Sequence, residues 1–382
     1  MADRQLRVLI APDSFKGSLT SVQVARALAD GWHRARPRDD LHLAPLADGG
    51  EGTLIAIEAA GGWEWREADA TDPLGRPIRA RWLRRADGRA AVVEMAAASG
   101  LSLVAATERD PARATSKGTG DLLRAVLDEG IRDIALGIGG SATTDGGAGI
   151  LRSLGAEVSD DLAVVDLGGL DARLSETRLR IACDVTNPLL GPTGAAAIYG
   201  PQKGASPGEV MALDMRCARF ADALERAAGR RERDTPGAGA AGGVGFAMLT
   251  LAGQFAELEL RPGIDLVMEE AGFDRALASS QLVLTGEGRI DEQTAYGKTA
   301  LGVAKRAQAA ARTCIAIGGG VTPAGIEALA AVGAIAVPVV EWPQDVEAAM
   351  AAGTPPVERC GERIARLVSV AFDLPAAAPH LS

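Results

Sequence analysis

The chain has 382 residues, of which 47% are hydrophobic and 24% charged, and carries a net charge of −10 at neutral pH. That length exceeds what one hydrophobic core normally serves, so two domains are expected, and the acidity argues against a general nucleic-acid or anionic-membrane surface. Aromatic residues make up only 3%, leaving Ala and Gly to do much of the packing, which suits α/β layers better than a β-sandwich.

Cys183, Cys217, Cys314 and Cys360 form no C-x-x-C pair, so neither a zinc knuckle nor a disulfide framework is expected and reduced thiols fit best. The first apolar run, residues 8–11, is far too short for a signal segment or for a spanning helix of about 20 residues. A cytoplasmic location is the expectation.

Residues 6–11 predict a short strand that runs into Pro12-Asp13-Ser14-Phe15-Lys16-Gly17-Ser18 and then a helix over about 20–34. Strand, polar loop and helix form the half-unit of a parallel sheet, whose ligands bind at the carboxyl ends of the strands, so Lys16 would face such a crevice. The competing reading makes Ser14, Ser18 and Thr20 caps and Lys16 a solvated side chain. A second strand over 41–46 leads into Ala47-Asp48-Gly49-Gly50-Glu51-Gly52-Thr53 and another helix. Glu51 reads as a helix N-terminal acid, and the tight turn makes Asp48 the better site residue.

From 63 to 95 the rhythm becomes hairpin-like, with Asp72-Pro73-Leu74-Gly75 and Ala86-Asp87-Gly88 as turns. Arg76, Arg79, Arg81, Arg84, Arg85 and Arg89 read as the wet face of an antiparallel sheet. Thr115-Ser116-Lys117-Gly118-Thr119-Gly120-Asp121 then opens a helix, either as an anion site or as an ordinary cap. A strand over 134–138 leads into Gly139-Gly140-Ser141-Ala142-Thr143-Thr144-Asp145-Gly146-Gly147. Its glycines let backbone N–H groups converge, and a following helix would add the positive end of its dipole, so a phosphate is the natural guest.

A strand over 179–183 breaks at Asp184-Val185-Thr186-Asn187-Pro188, where proline forbids regular continuation and Asp184 is exposed as a base or metal ligand. A long helix over 207–228 follows. A strand over 281–285, the loop Gly286-Glu287-Gly288-Arg289-Ile290-Asp291, a helix after Gly297-Lys298-Thr299, strands over 313–317 and 334–339, and a helix over about 356–371 restore the parallel-sheet rhythm.

Three readings of the glycine loops compete. Gly137-x-Gly139-x-x-Ala142, with Asp160 or Asp161 about 20 residues on, formally satisfies a dinucleotide fingerprint but leaves the other polar strand ends unused. A Walker loop fails because Glu292 stands where its first glycine should be. Phosphoryl transfer on another α/β scaffold needs phosphate donors, a cation, Mg²⁺-holding carboxylates and an acid to orient the attacking hydroxyl. The chain offers these, whereas His33, His42 and His380 are poorly placed for a histidine base.

In combination, Ala11-Pro12-Asp13-Ser14-Phe15-Lys16, the 47–53 and 137–149 loops, Cys183-Asp184-Val185-Thr186-Asn187-Pro188 and Gly286-Glu287-Gly288-Arg289-Ile290-Asp291 closely resemble the bacterial glycerate kinase family, from about residue 8 to 370. The resemblance implies a two-domain α/β fold. A doubly wound, Rossmann-like parallel-sheet domain, discontinuous in sequence (1–68 plus 287–382), would carry an inserted mixed α/β domain (69–286), with the active site in the cleft between them. It also implies ATP, Mg²⁺, D-glycerate and, most often, 2-phosphoglycerate. The connection from Gly155 through Ser159 to Leu174 is shorter than is usual in that family.

On this basis Asp184 is the expected base. Lys16 neutralises charge on the phosphoryl group or the substrate carboxylate, and Arg289 is a carboxylate clamp. Ser14, Asp48 and Asp291 join the substrate set, Asp48 and Asp291 double as Mg²⁺ ligands, and Gly139, Gly140, Ser141, Thr143 and Lys298 hold the nucleotide. Product regiochemistry stays open, as do a 3-kinase, a nicotinamide-dependent dehydrogenase and a non-catalytic binder. No nucleic-acid or membrane partner is expected, and a homo-oligomer is open.

Overall fold

The protein, seen in a computed structural model, is described over residues 5–292 and 299–373. It has two compact units. One comprises Met1–Ala47, Ile55–Ala60 and Met268–Ser382, the other Asp48–Leu54 and Gly61–Val267. In chain order the strands are β1 (Arg7–Pro12), β2 (Asp40–Leu43), β3 (Trp63–Thr71), β4 (Pro77–Arg85), β5 (Ala90–Glu94), β6 (Asp133–Gly137), β7 (Glu157–Val158), β8 (Val165–Asp166), β9 (Arg178–Ala182), β10 (Glu257–Arg261), β11 (Leu282–Ile290), β12 (Thr313–Val321) and β13 (Ala334–Pro338).

The first unit is built on a five-stranded sheet, ordered β13-β12-β11-β1-β2, in which every pairing is parallel. Alternation sends Val8, Ile10, Leu282, Leu284, Ile315 and Ile317 to one face. There they pack with Val24, Leu28 and Trp32 of the helix Ser21–Ala35 and with Val357, Cys360 and Ile364 of the helix Pro355–Asp373. The alternate residues Leu9, Val283 and Ala316 are equally buried, and the helix Thr299–Ala309 packs on β11 and β12 through Ala300, Val303, Ala304 and Ala307. Helices thus cover a doubly wound sheet. Thr20 starts the first helix by a capping box with Gln23, whereas Ser18 Oγ donates to Met350 O.

Winding runs from β1 to β2 in one direction and from β11 through β12 to β13 in the other. The switch falls between β1 and β11, the position at which sheets of this kind bind ligands.

Two expectations need correction here. Gly286 to Ile290 is not a loop: β11 continues through it, paired with β12 as far as Ile290 opposite Val321. The glycines permit this because a Cβ on Gly286 would lie 2.4 Å from Ile317 Cγ1, and one on Gly319 2.6 Å from Gly288 O. The domain boundaries expected at 68 and 286 also move, since β3 pairs along its whole length with β4 and β11 belongs entirely to the first unit.

The second unit carries a six-stranded sheet ordered β10-β9-β6-β5-β4-β3, parallel from β10 to β5 and antiparallel from β5 to β3. Its core joins Trp82, Leu122, Val126, Leu136, Ile150, Ile181, Phe220 and Phe246. The arginines of the hairpin face acids across the ladder: Arg84 opposite Glu64, Arg81 opposite Glu67 and Arg79 opposite Asp69. Arg79 meets Asp69 at 3.0 Å, and the Arg81 guanidinium lies 3.7 Å from the Trp65 ring centre. The short connection after Gly155 forms the β7–β8 hairpin, in which Asp161 accepts from Ser159 Oγ and Ala163 N.

Candidate active site

In the second unit the polar residues collect where the parallel strands β5, β6, β9 and β10 end. β9 ends at Ala182 and delivers Asp184, whose Oδ1 accepts from Gly263 N at 2.8 Å just beyond β10. The segment 48–52 lies across these ends. Gly139 N donates to Gly49 O at 3.2 Å, and a Cβ on Gly137 would sit 2.6 Å from that same oxygen. A Cβ on Gly139 would come 2.5 Å from Gly50 Cα. The paired glycines of the formal dinucleotide fingerprint therefore serve backbone packing, and that reading falls.

Asp48 is exposed, and its Oδ1 accepts from Gly50 N at 3.1 Å. A Cβ at Gly263 would meet Asp48 O at 1.9 Å and Asp184 Oδ2 at 2.9 Å, so only glycine lets these two acidic segments approach. Asp184 is held above the ordinary carboxylate value. Partial loss of hydration is the main cause, the Gly263 N–H opposes it, and the negative charges of Asp48 and Asp265 add to it.

Glu94, the last residue of β5, is buried and accepts from Gly52 N at 3.0 Å and Leu54 N at 3.1 Å. Burial pushes it up to about 7, with the two N–H donors opposing and Glu51 and Asp48 adding repulsion. A carboxyl raised on folding binds extra protons in the folded state, so its stabilising contribution is full below about 4.5 and is lost as pH rises through about 7. Melting temperature across pH 4.5–7.5 is accordingly expected to fall more steeply for the native chain than for Glu94→Gln. Parallel curves would show that Glu94 does not titrate in this window.

The glycine loop after β6 differs from expectation in its source of positive charge. The helix that follows it, Ala148–Ser153, is short, and its first N–H groups are already engaged. Asp145, 3% exposed, accepts from Gly147 N at 3.0 Å and Gly149 N at 3.1 Å, and also from Ser116 N and Ser116 Oγ at 2.8 Å each. One buried carboxylate thus sits at the start of two helices and already answers the positive end of each. Asp145→Asn, which turns an N–H group toward those donors, is expected to cost about 3 kcal/mol in denaturant unfolding. Lys117 likewise has an ordinary role, since its Nζ lies 2.9 Å from both carboxylate oxygens of Asp121.

Within that loop Gly140 is exposed with φ +71° and Ser141 is 8% exposed. Thr143, expected to touch the nucleotide directly, is fully enclosed. Its Oγ1, like that of Thr144, is buried without a protein partner among the described residues.

In the first unit the residues gather at the β1/β11 switch point. Asp13 N donates to Gly286 O at 2.8 Å, which ties the β1 loop to β11. Asp13 Oδ1 accepts from Ser14 N, and Asp13 Oδ2 from Thr299 Oγ1, both at 2.6 Å. Ser14 is half-buried. Lys16 is exposed, and a Cβ on Gly288 would lie 3.3 Å from Lys16 N, so β11 runs directly beside it. Arg289 is exposed and its Nε lies 3.1 Å from Oδ2 of the buried Asp291. Lys298 lies outside the described residues.

Each unit thus assembles its own share of the expected residues: Asp48, Asp184 and the 139–143 loop in one, and Ser14, Lys16, Arg289 and Asp291 in the other. Sequence reasoning missed Asp13, Glu94, Gly263 and Asp265 as partners. Among the described residues no group of three or more His, Cys, Asp or Glu side chains is arranged to hold a metal ion. Mg²⁺ is commonly held by one or two carboxylates plus substrate phosphates, a donor set that the exposed Asp48 fits, while Asp291 already faces Arg289.

The model of the glycerate kinase family covers residues 8–369. A Bacillus subtilis glycerate kinase is 45% identical over 83% of this chain and 86% of its own, and an Escherichia coli glycerate 2-kinase is 43% identical over the same shares. A solved structure of a glycerate kinase 2 candidate from Salmonella typhimurium LT2 superposes with a TM-score of 0.84 at 39% identity, covering 97% of this chain and 100% of that one. The chain belongs to the glycerate kinase family and is an ATP-dependent kinase of that class.

Proposed function

We propose that the chain transfers the γ-phosphoryl group of ATP to the C2 hydroxyl of D-glycerate, giving 2-phosphoglycerate and ADP. The observation that carries the reading is Asp184, anchored by the Gly263 N–H at the end of β9 and raised above its ordinary value. A carboxylate so placed accepts the hydroxyl proton as the C2 oxygen bonds to the γ-phosphorus and the bond to the ADP oxygen breaks. The choice of C2 is supported by the name of the Escherichia coli relative, glycerate 2-kinase.

Lys16 supplies positive charge for the transferring phosphoryl group, and Arg289, oriented by Asp291, clamps the glycerate carboxylate beside Ser14. Gly140 and Ser141 receive the nucleotide phosphates with Thr143 behind them; Gly139, whose N–H is spent on Gly49 O, shapes the loop, and Lys298 joins this set. Asp48 is the better Mg²⁺ ligand of the two acids named, with Asp291 second. When bound, Mg²⁺ neutralises phosphate charge. The four cysteines are free thiols, in keeping with a cytoplasmic site of action, and among the described residues no helix is long and apolar enough to cross a membrane.

ADP release measured with ATP, Mg²⁺ and either enantiomer of glycerate tests the reading. Release that depends on D-glycerate and is lost on chelation is expected, and release indifferent to glycerate would contradict it.

A further inference from the structure

Behind the 139–143 loop lies a buried cation that the phosphoryl transfer described above leaves unused. Lys203, only 2% exposed, closes the short turn Pro201–Lys203, and Gly204 follows it with φ +103°. Its Nζ donates to Ser141 Oγ at 3.0 Å and to Thr143 O at 2.6 Å. Burial lowers Lys203 to about 8 while Asp145 opposes the shift; the Cys217 thiol on the neighbouring helix is itself pushed up to about 12 and stays neutral. At neutral pH the group is therefore an ammonium, with three protons and no lone pair.

A hydroxyl that accepts from an ammonium directs its own proton elsewhere. Among the described residues no protein acceptor takes the Ser141 proton, and Ser141 adjoins the exposed Gly140. Packing alone gives little reason for the lysine, since a methionine of similar volume fills such a space without burying charge.

We propose that Lys203 is a positioning residue for the nucleotide: by gripping Ser141 Oγ and Thr143 O from inside, it fixes the Ser141 O–H as a donor to an ATP phosphate oxygen. This rests on the reading of 139–143 as the nucleotide cradle.

Steady-state kinetics of Ser141→Ala, Lys203→Met and the double variant test it, with KM for ATP and for glycerate measured separately and folding checked by thermal melting. Each single variant is expected to raise KM for ATP about tenfold or more, to leave KM for glycerate within about twofold, and to add little to the other in the double variant. If Ser141→Ala raises KM for ATP and Lys203→Met does not, the role of Lys203 is overturned and the cradle stands. If Ser141→Ala leaves KM for ATP unchanged, both are overturned. Should Lys203→Met fail to fold, Lys203→Gln, which drops the charge and shortens the reach, is judged by the same criteria.

Discussion

Asp184→Asn is expected to lower kcat by about 10²–10⁴-fold, the usual contribution of a positioned general base, while the protein stays folded and binds glycerate nearly as before. The amide oxygen of Asn can still accept from Gly263 N, and Asp184 is exposed, so no buried charge is left without a partner. The pH profile carries a second mark. Because Asp184 lies above the ordinary carboxylate value, the protonated, inactive form persists to a higher pH than for a free aspartate, near 3.9. The acidic limb of kcat/KM is accordingly shifted upward, with activity rising as pH increases through it. Asp48→Asn removes one of the charges that raise Asp184 and moves that limb back down, together with the loss of turnover expected when a Mg²⁺ ligand is removed. A folded Asp184→Asn variant with more than half the native turnover would remove the base assignment.

The second large effect is expected at Lys16. Its ammonium is exposed beside β11, with no ion-pair partner among the described residues, so its charge is available to a ligand rather than spent on the fold. Lys16→Met is expected to lower kcat/KM by about 10²–10³-fold, as when a preorganised group facing developing charge is removed, with an unchanged melting temperature. Arg289 differs, because Asp291 orients it. Arg289→Ala should act mainly through KM for glycerate. Equal, small effects of the two substitutions on KM alone would contradict the division of labour.

The strands were legible wherever a short apolar run ended in a polar break, as at β1, β6 and β9. The long helix Pro207–Ala228 was legible too, with Ser206 and Glu209 forming its capping box. Strand extent was not legible at β11 and β12, because the glycines that look like a loop in one strand make sense only beside those of its partner. The same limit applied to Gly137 and Gly139. They look like a phosphate fingerprint until Gly49 and Gly50 are seen against them.

Individual acids at strand ends could be recognised, but their partners could not. Asp145 sits in the most phosphate-like loop and proves to occupy two of its N–H groups, those of Gly147 and Gly149. Asp13 follows β1 as Asp184 follows β9, a parallel that would have brought it into the candidate set. Lys203 left a fainter signal: it is one of five lysines in a chain whose forty basic residues are otherwise arginine, and its burial is set by contacts distant in sequence.

The most direct measurement of the central claim is phosphorus NMR of the product formed from ATP and D-glycerate by the native enzyme. One phosphate ester, 2-phosphoglycerate, is expected, appearing in step with ADP; 3-phosphoglycerate as the main product, or no ester at all, would contradict the assignment.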